Sequence, residues 1–191
     1  IGAKGTLHDY GFRVALSIDS VRRSMKSASS ETPAVAIAPF DADQAKKSQE
    51  AWATYLQSPA ELTNSIGMKF QLIPPGEFTM GLDLKEAEAI GATQADDPIH
   101  REMALSSAPP HRVRLTKAFY LGAFEVTQAQ FEQIMGENPS HFSPSGEGKE
   151  LLKDEDNRQF PVEMISYRAA VAFCNNLSLH EMRSPAYELT N

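Results

Sequence analysis

The chain has 191 residues, 25 acidic against 18 basic for a net charge of −7, with 41% apolar and 23% charged side chains. That is enough length for one domain or parts of two, with the composition of an ordinary globular protein. The acidic balance argues against nucleic-acid binding, which rests on clustered Lys and Arg. The densest basic group, "VRRSMK" at residues 21–26, is too short to be more than a solvated face. No apolar run approaches the length of a membrane span. The single cysteine, Cys174, excludes an internal disulfide framework and any multi-thiolate metal site built from this chain alone.

In chain order, the first element is a short, isolated strand, "GFRVAL" at residues 11–16. The chain opens at Ile1 with no Met, charged n-region or apolar h-region, and it stops at Asn191 without a closing element. Both ends are therefore expected to be cuts inside a longer protein, which leaves the compartment unread. Residues 19–40, rich in Ser, Ala and Pro, read as a linker. "DADQAKKSQEAWATYLQSP" then places Trp52, Tyr55 and Leu56 at helical spacing with Pro59 just beyond, which predicts a short helix whose aromatic end docks.

From Leu62 the pattern alternates. "MKFQLI" sets Phe70 and Leu72 against Lys69 and Gln71, and "GEFTMG" resumes after Pro74-Pro75. Two prolines remove two ladder donors, so an edge strand, or a strand bent there, is expected. Residues 82–110 are acidic and poorly periodic, a surface insertion with one loose helix over residues 85–90. "HRVRLTKAFYLGAFEV" returns to strands, with Val113 and Leu115 and then Phe119 and Leu121 on alternate positions.

Two helices are well specified. In "EVTQAQFEQIMGENP", Thr127 is the N-cap with Gln130 at N3, and Val126 and Phe131 stand at staple positions. Phe131, Ile134 and Met135 make its inner stripe, and Gly136 ends it. In "ISYRAAVAFCNNLSL", Ser166 caps a helix carrying Tyr167, Ala170, Val171, Cys174 and Leu177 on one face. The long Gly- and Ser-rich loop between them is of a kind that often serves function. Together these elements predict an irregular α+β domain.

Chemistry is sparse. The five histidines, His8, His100, His111, His141 and His180, show no ligand spacing. They read as surface or packing residues, with His141 in the long loop the best placed for a role. Cys174 on an apolar helix face reads as a small buried hydrophobe or half of a disulfide, not a reactive thiol. "KEAEAIGATQADD" and "KDEDN" lack EF-hand spacing and read as solvated faces. "SGEGK" resembles a phosphate loop only in outline. Spacing alone assigns no catalytic, cofactor-binding or metal-ligating residue.

Three stretches, "TNSIGMKFQLIPPGEFTMG", "PPHRVRLTKAFYLGAFEVTQAQFEQIMGENPSHF" and "FPVEMISYRAAVAFCNNLS", resemble in order and spacing the N-terminal half of the formylglycine-generating enzymes, also called sulfatase-modifying factors. The resemblance implies a C-type-lectin-like α+β fold with a small twisted antiparallel sheet, two main helices and long loops. In intact active members it implies copper- and oxygen-dependent oxidation of a sulfatase cysteine to formylglycine, by two cysteines in the C-terminal half, where calcium sites also fall. None of those residues carries over onto this chain. Cys174 matches a structural family cysteine, and Tyr167 stands where Trp is commoner. "YGFRVALS" resembles the family's closing strand.

The implied division is residues 1–18 as the closing strand of a preceding family domain, 19–61 as a linker with a short helix, and 62–191 as the N-terminal half of a second domain. The parent would be a bacterial multidomain protein, and Phe12 and Val14 are expected to pair antiparallel beside Lys69–Ile73. Implied partners are a sulfatase-type polypeptide, another protein domain or neighbouring domains of the parent, with no nucleic acid and no membrane segment. The alternative reading is a non-catalytic, lectin-like module that binds peptide or protein in a signalling or surface protein. A related non-haem iron oxidase ranks below both, because the histidines lack its spacing.

Overall fold

The computed structural model describes residues 11–18, 31–93, 97–152 and 156–188. In chain order the elements are β1 (Ala15–Ser17), β2 (Ala36–Ile37), α1 (Ala42–Leu56), β3 (Glu61–Thr63), β4 (Lys69–Ile73), β5 (Gly76–Met80), α2 (Leu84–Thr93), α3 (Pro98–Ser106), β6 (His111–Leu115), β7 (Phe119–Gly122), α4 (Gln128–Met135) and α5 (Tyr167–His180). The chain is a mixed α/β protein with small sheets and, among the described residues, five α-helices, consistent with the expected α+β class. It divides into two units, one drawn from residues 1–25, 58–72 and 119–191, the other from 26–57 and 73–118.

The first unit holds a four-stranded sheet in the order β1-β7-β4-β3. β3 runs antiparallel to β4 with Leu62 opposite Phe70, and β1 antiparallel to β7 with Leu16 opposite Tyr120. The opening strand therefore joins this sheet, but beside β7 and not beside Lys69–Ile73. The Phe12 and Val14 carbonyls accept from the amides of Val126 and Gly122 (2.9 and 2.8 Å). β7 already occupies the flank of β4 that β1 was expected to take, and Ala123 N–H extends that pairing to the Lys69 carbonyl (2.8 Å).

Alternation puts Phe70 and Leu72 into the core as read, both with no exposed surface. Tyr120, Val126, Phe131, Val162 and Phe173 are buried with them. α4 has the expected capping box between Thr127 and Gln130, and ends on Gly136 in the left-handed region (φ 79°). The Thr127 cap satisfies amides that the first helical turn leaves without partners.

α5 is capped by Ser166 as read, yet its buried residues are Val171, Phe173 and Leu177. Tyr167, expected on the packed face, is 77% exposed. Phe173 takes the central place instead. Its ring stacks on Phe131 (centroids 5.4 Å, planes 7° apart) and receives Phe12 edge-on (5.4 Å, 86°).

Past the end of α5, Met182 sits at φ 54°, and Arg183 N–H reaches back to the Ser178 carbonyl (2.8 Å) in a Schellman closure. That position favours glycine, and the Met182 side chain, 96% exposed, packs on nothing that offsets the strain. Met182→Gly is expected to stabilise the protein by about 0.5–1 kcal/mol, read as a higher urea midpoint at unchanged slope.

Tyr120 lies wholly inside, and its hydroxyl donates to the Pro59 carbonyl (2.6 Å). Burial raises the phenol's pKa above its usual 10.0, with a Ser58 hydrogen bond pulling the other way. The neutral form is thus favoured by folding. This contribution is fully present below pH 10 and is lost as the pH rises through the folded-state value. Tyr120→Phe is expected to cost about 1–2 kcal/mol at neutral pH and to flatten the alkaline fall in stability, measured by urea titrations from pH 7 to 11.

The second unit holds a three-stranded sheet, β2-β5-β6, in which β2 is parallel and β6 antiparallel to β5. Residues 31–57, read as linker and helix, supply β2 and α1. α1 has its own capping box on Asp41, buries Trp52 and Leu56, and the Trp52 indole donates to the Ala34 carbonyl (3.0 Å). On the sheet, Glu77 pairs with Arg112 and Arg114 of the neighbouring strand.

Pro74 and Pro75 fall between β4 and β5, and both of these strands are interior to their sheets. The edge-strand expectation is therefore corrected: the missing donors end one strand before the next begins. The acidic insertion carries two helices, not one. α3 is started by Asp97, whose carboxylate accepts from the amides of Ile99 and His100, with Pro98 at N1. α2 and α3 pack on each other through Ala87, Gly91 and Ala104, the small residues buried there. A side chain at Gly91 would press on Arg101.

Candidate functional site

Within the first unit a groove of ≈ 570 Å³ is walled by β1 on one side and by β3 and its following turn on the other. Cys174 and Leu177 of α5 and Glu181 just past its end also line it, as do Arg183, Ser184, Ala186 and Tyr187. Two side-chain clamps fix this wall. Glu181 Oε1 accepts from the Ser65 amide and hydroxyl (3.1 and 2.6 Å), tying the end of β3 to the end of α5. Asn175 exchanges hydrogen bonds with the backbone of Tyr187 in both directions (2.9 and 3.1 Å), laying the final described segment along the helix.

β1 and β3 are the two outer strands of their sheet. Asn64 N–H bonds the Met68 carbonyl and Leu72 N–H the Ala60 carbonyl (3.0 and 2.8 Å), so residues 60, 62 and 64 turn their backbone toward β4. Glu61 and Thr63 then turn theirs outward. By the same alternation, the Val14 carbonyl faces β7 and the backbone of Ala15 points away.

Cys174 lies half-buried in the groove wall, and burial pushes its thiol up from the usual 9.0. That is the opposite of an activated nucleophile. The four described histidines are not gathered into a site. His8 lies outside the described residues. His100 is bonded to Asp97 (2.7 Å), whose carboxyl it helps to hold below the usual range, and both are exposed. His111 is exposed on β6, and His180 is exposed at the end of α5. His141 packs edge-on against Phe142 (4.7 Å), and a side chain at Gly148 would strike its ring. Among the described residues, no three His, Cys, Asp or Glu side chains converge as metal ligands.

The long loop after α4 is held by a polar network that sequence reading missed. Gln128, almost wholly buried, accepts from Asn138 and Asn157 (2.9 and 3.4 Å) and donates to the Phe142 carbonyl (3.0 Å). Glu163 accepts from the Phe142 amide (2.9 Å) and donates its own amide to Ser140 (3.3 Å). "SGEGK" is folded into this loop, with Gly148 N–H on the His141 carbonyl (2.9 Å), so its glycines serve close backbone approach. The only sequence signal for the network was the length and polarity of the loop.

Two small sheets of short strands, capped helices and a long loop organised by buried amides are what the described residues present. Residues 56–190 match the family model described as the Sulfatase-modifying factor enzyme 1-like domain, and the chain belongs to that family. It is also similar to a curated protein, the chaperone protein LppX of Paenibacillus barcinonensis, at 37% identity over 71 residues. That stretch is 37% of this chain, and the chain spans about a fifth (21%) of the relative's length. No solved structure matches.

Proposed function

We propose that residues 56–190 form the N-terminal, polypeptide-recognising part of a formylglycine-generating-type domain with a C-type-lectin-like architecture, and that this chain by itself oxidises no cysteine. The observation that carries the reading is Cys174. It is the one cysteine in the sequence, half-buried and with its thiol pushed up, whereas the family chemistry needs a cysteine pair. A copper centre of that type wants soft sulfur donors in number, and calcium wants several converging oxygens. The residues present fit neither group, and no step is routed through either.

What remains is binding. The groove beside β1 and β3 has the volume of a ligand site and walls suited to polypeptide. The name of the relative, a chaperone, favours the reading in which the fold handles polypeptide without chemistry. Incubation of the chain with a cysteine-containing sulfatase-type peptide, copper and oxygen is expected to leave the peptide mass unchanged. Copper-dependent loss of the peptide thiol, with aldehyde formation, overturns the reading.

A further inference from the structure

We infer that a second pocket of the first unit, at one end of its sheet, binds a small amino dicarboxylate, of which a free acidic amino acid is the simplest form. The pocket holds ≈ 450 Å³, within the size range of small-molecule sites. Sheet order brings its charged residues together. β7 lies between β1 and β4, so Arg13 ahead of β1, Lys69 at the start of β4, and Phe124 and Glu125 just past β7 all line one opening. Backbone bonds fix these three segments to one another: the Phe12 carbonyl accepts from the Val126 amide and the Lys69 carbonyl from the Ala123 amide (2.9 and 2.8 Å).

The charges in this pocket are gathered without being spent on each other. Among the described residues, neither Arg13 nor Lys69 has a carboxylate at ion-pair distance, and Glu125 has no cation there. Two cations side by side in a protein of net charge −7 are a local exception to its acidic balance, and they repel until an anion lies between them. A guanidinium and an ammonium suit two carboxylates, the first by its planar fork and the second as a point charge. Glu125 in the same lining penalises a ligand that is negative throughout and favours an ammonium on its side. Two positive groups and one negative are thus met by two carboxylates and one amine.

Neutral groups complete the lining. The capping box of α4 directs Gln130 Oε1 to the Thr127 amide (3.0 Å), and Thr127 Oγ1 accepts from the Gln130 amide (3.3 Å). The Gln130 amide nitrogen and the Thr127 hydroxyl proton are left as donors for carboxylate oxygens. Phe124, 67% exposed, gives an apolar surface for the methylene stem of the ligand.

The test is isothermal titration of the whole chain, at low salt, with L-glutamate, glutarate, 4-aminobutyrate and inorganic phosphate. Saturable binding of L-glutamate is expected. Glutarate, which lacks the amine, and 4-aminobutyrate, which lacks one carboxylate, should each bind about tenfold more weakly, and phosphate more weakly still. Arg13→Gln and Lys69→Gln should each lower L-glutamate affinity about tenfold. Both side chains are exposed, so the urea midpoint should stay unchanged. Glu125→Gln should abolish the preference for L-glutamate over glutarate.

Absence of saturable L-glutamate binding at millimolar ligand overturns the inference. Binding that survives the Arg13→Gln, Lys69→Gln double variant overturns it too, because the ligand then sits elsewhere. Equal affinity for phosphate and L-glutamate reduces the pocket to a patch of positive charge, and an unchanged preference in Glu125→Gln removes the amine from the assignment; either result overturns the proposal. None of these outcomes bears on cysteine oxidation or on peptide handling, so the two readings fail separately.

Discussion

Replacing Phe173 with alanine is expected to remove most of the stability of the first unit. The ring has no exposed surface and stands between Phe131, stacked on one side, and Phe12, edge-on. Truncation loses the transfer free energy of a phenyl ring and leaves a cavity, together about 3–5 kcal/mol. Two aromatic contacts add about 0.5–1.5 kcal/mol each to what is lost. Against a typical total of about 5–15 kcal/mol, that brings the native state near its limit. Urea unfolding followed by far-ultraviolet circular dichroism should show a much lower midpoint or a chain already unfolded in buffer. Phe173→Leu, which keeps volume but no ring, should recover part of the loss. A Phe173→Ala midpoint within error of the parent would mean the three rings do not form the keystone of this core.

Gln128→Leu is expected to have the next largest effect, and a more local one. The substitution shortens the side chain by one bond and removes its polar head from a site with almost no solvent access. Asn138 then loses its acceptor, and the Phe142 carbonyl keeps only Asn157 as donor. An unsatisfied buried group costs about 1–3 kcal/mol, and a network can cost more than its pairs suggest, so about 2–4 kcal/mol is expected. Hydrogen exchange should locate the damage, with amides near Phe142 and Gly148 losing protection while those of β4 and β7 keep theirs. Uniform loss of protection would mean the network supports the whole unit and not the loop.

Where local chemistry sets structure, the sequence was readable. Thr127 with Gln130, Ser166 and Gly136 each act through backbone groups within a few residues, so the starts of α4 and α5 and the end of α4 follow from spacing alone. Alternation likewise placed Phe70 and Leu72 inside. The errors lie where partners are remote. Asp97-Pro98 signals a helix start, yet the weak periodicity of α3 hid it, since that helix packs through Ala104 on another short helix rather than on a broad apolar face. Tyr167 shares a helical face with Val171, but the first turn of α5 extends past the core that Phe173 occupies.

The candidate site was illegible for a related reason. Gln128, Asn138, Asn157 and Glu163 are ordinary surface residue types scattered over 36 positions, and only their hydrogen bonds show that they act together. The groove is assembled from residues of β1, β3 and α5 that lie far apart in the sequence, a juxtaposition no motif records.

By itself, the sequence determined the chain's family, its helix caps and the inward faces of its central strands, because all three depend on residue type and short-range spacing. Tertiary structure alone decided that the opening strand lies against β7, that Phe173 and not Tyr167 anchors α5, and that residues of β1, β3 and α5 line one groove. Those outcomes depend on which long-range pairings fill the sheet and the core first, and a one-dimensional pattern does not rank competing partners.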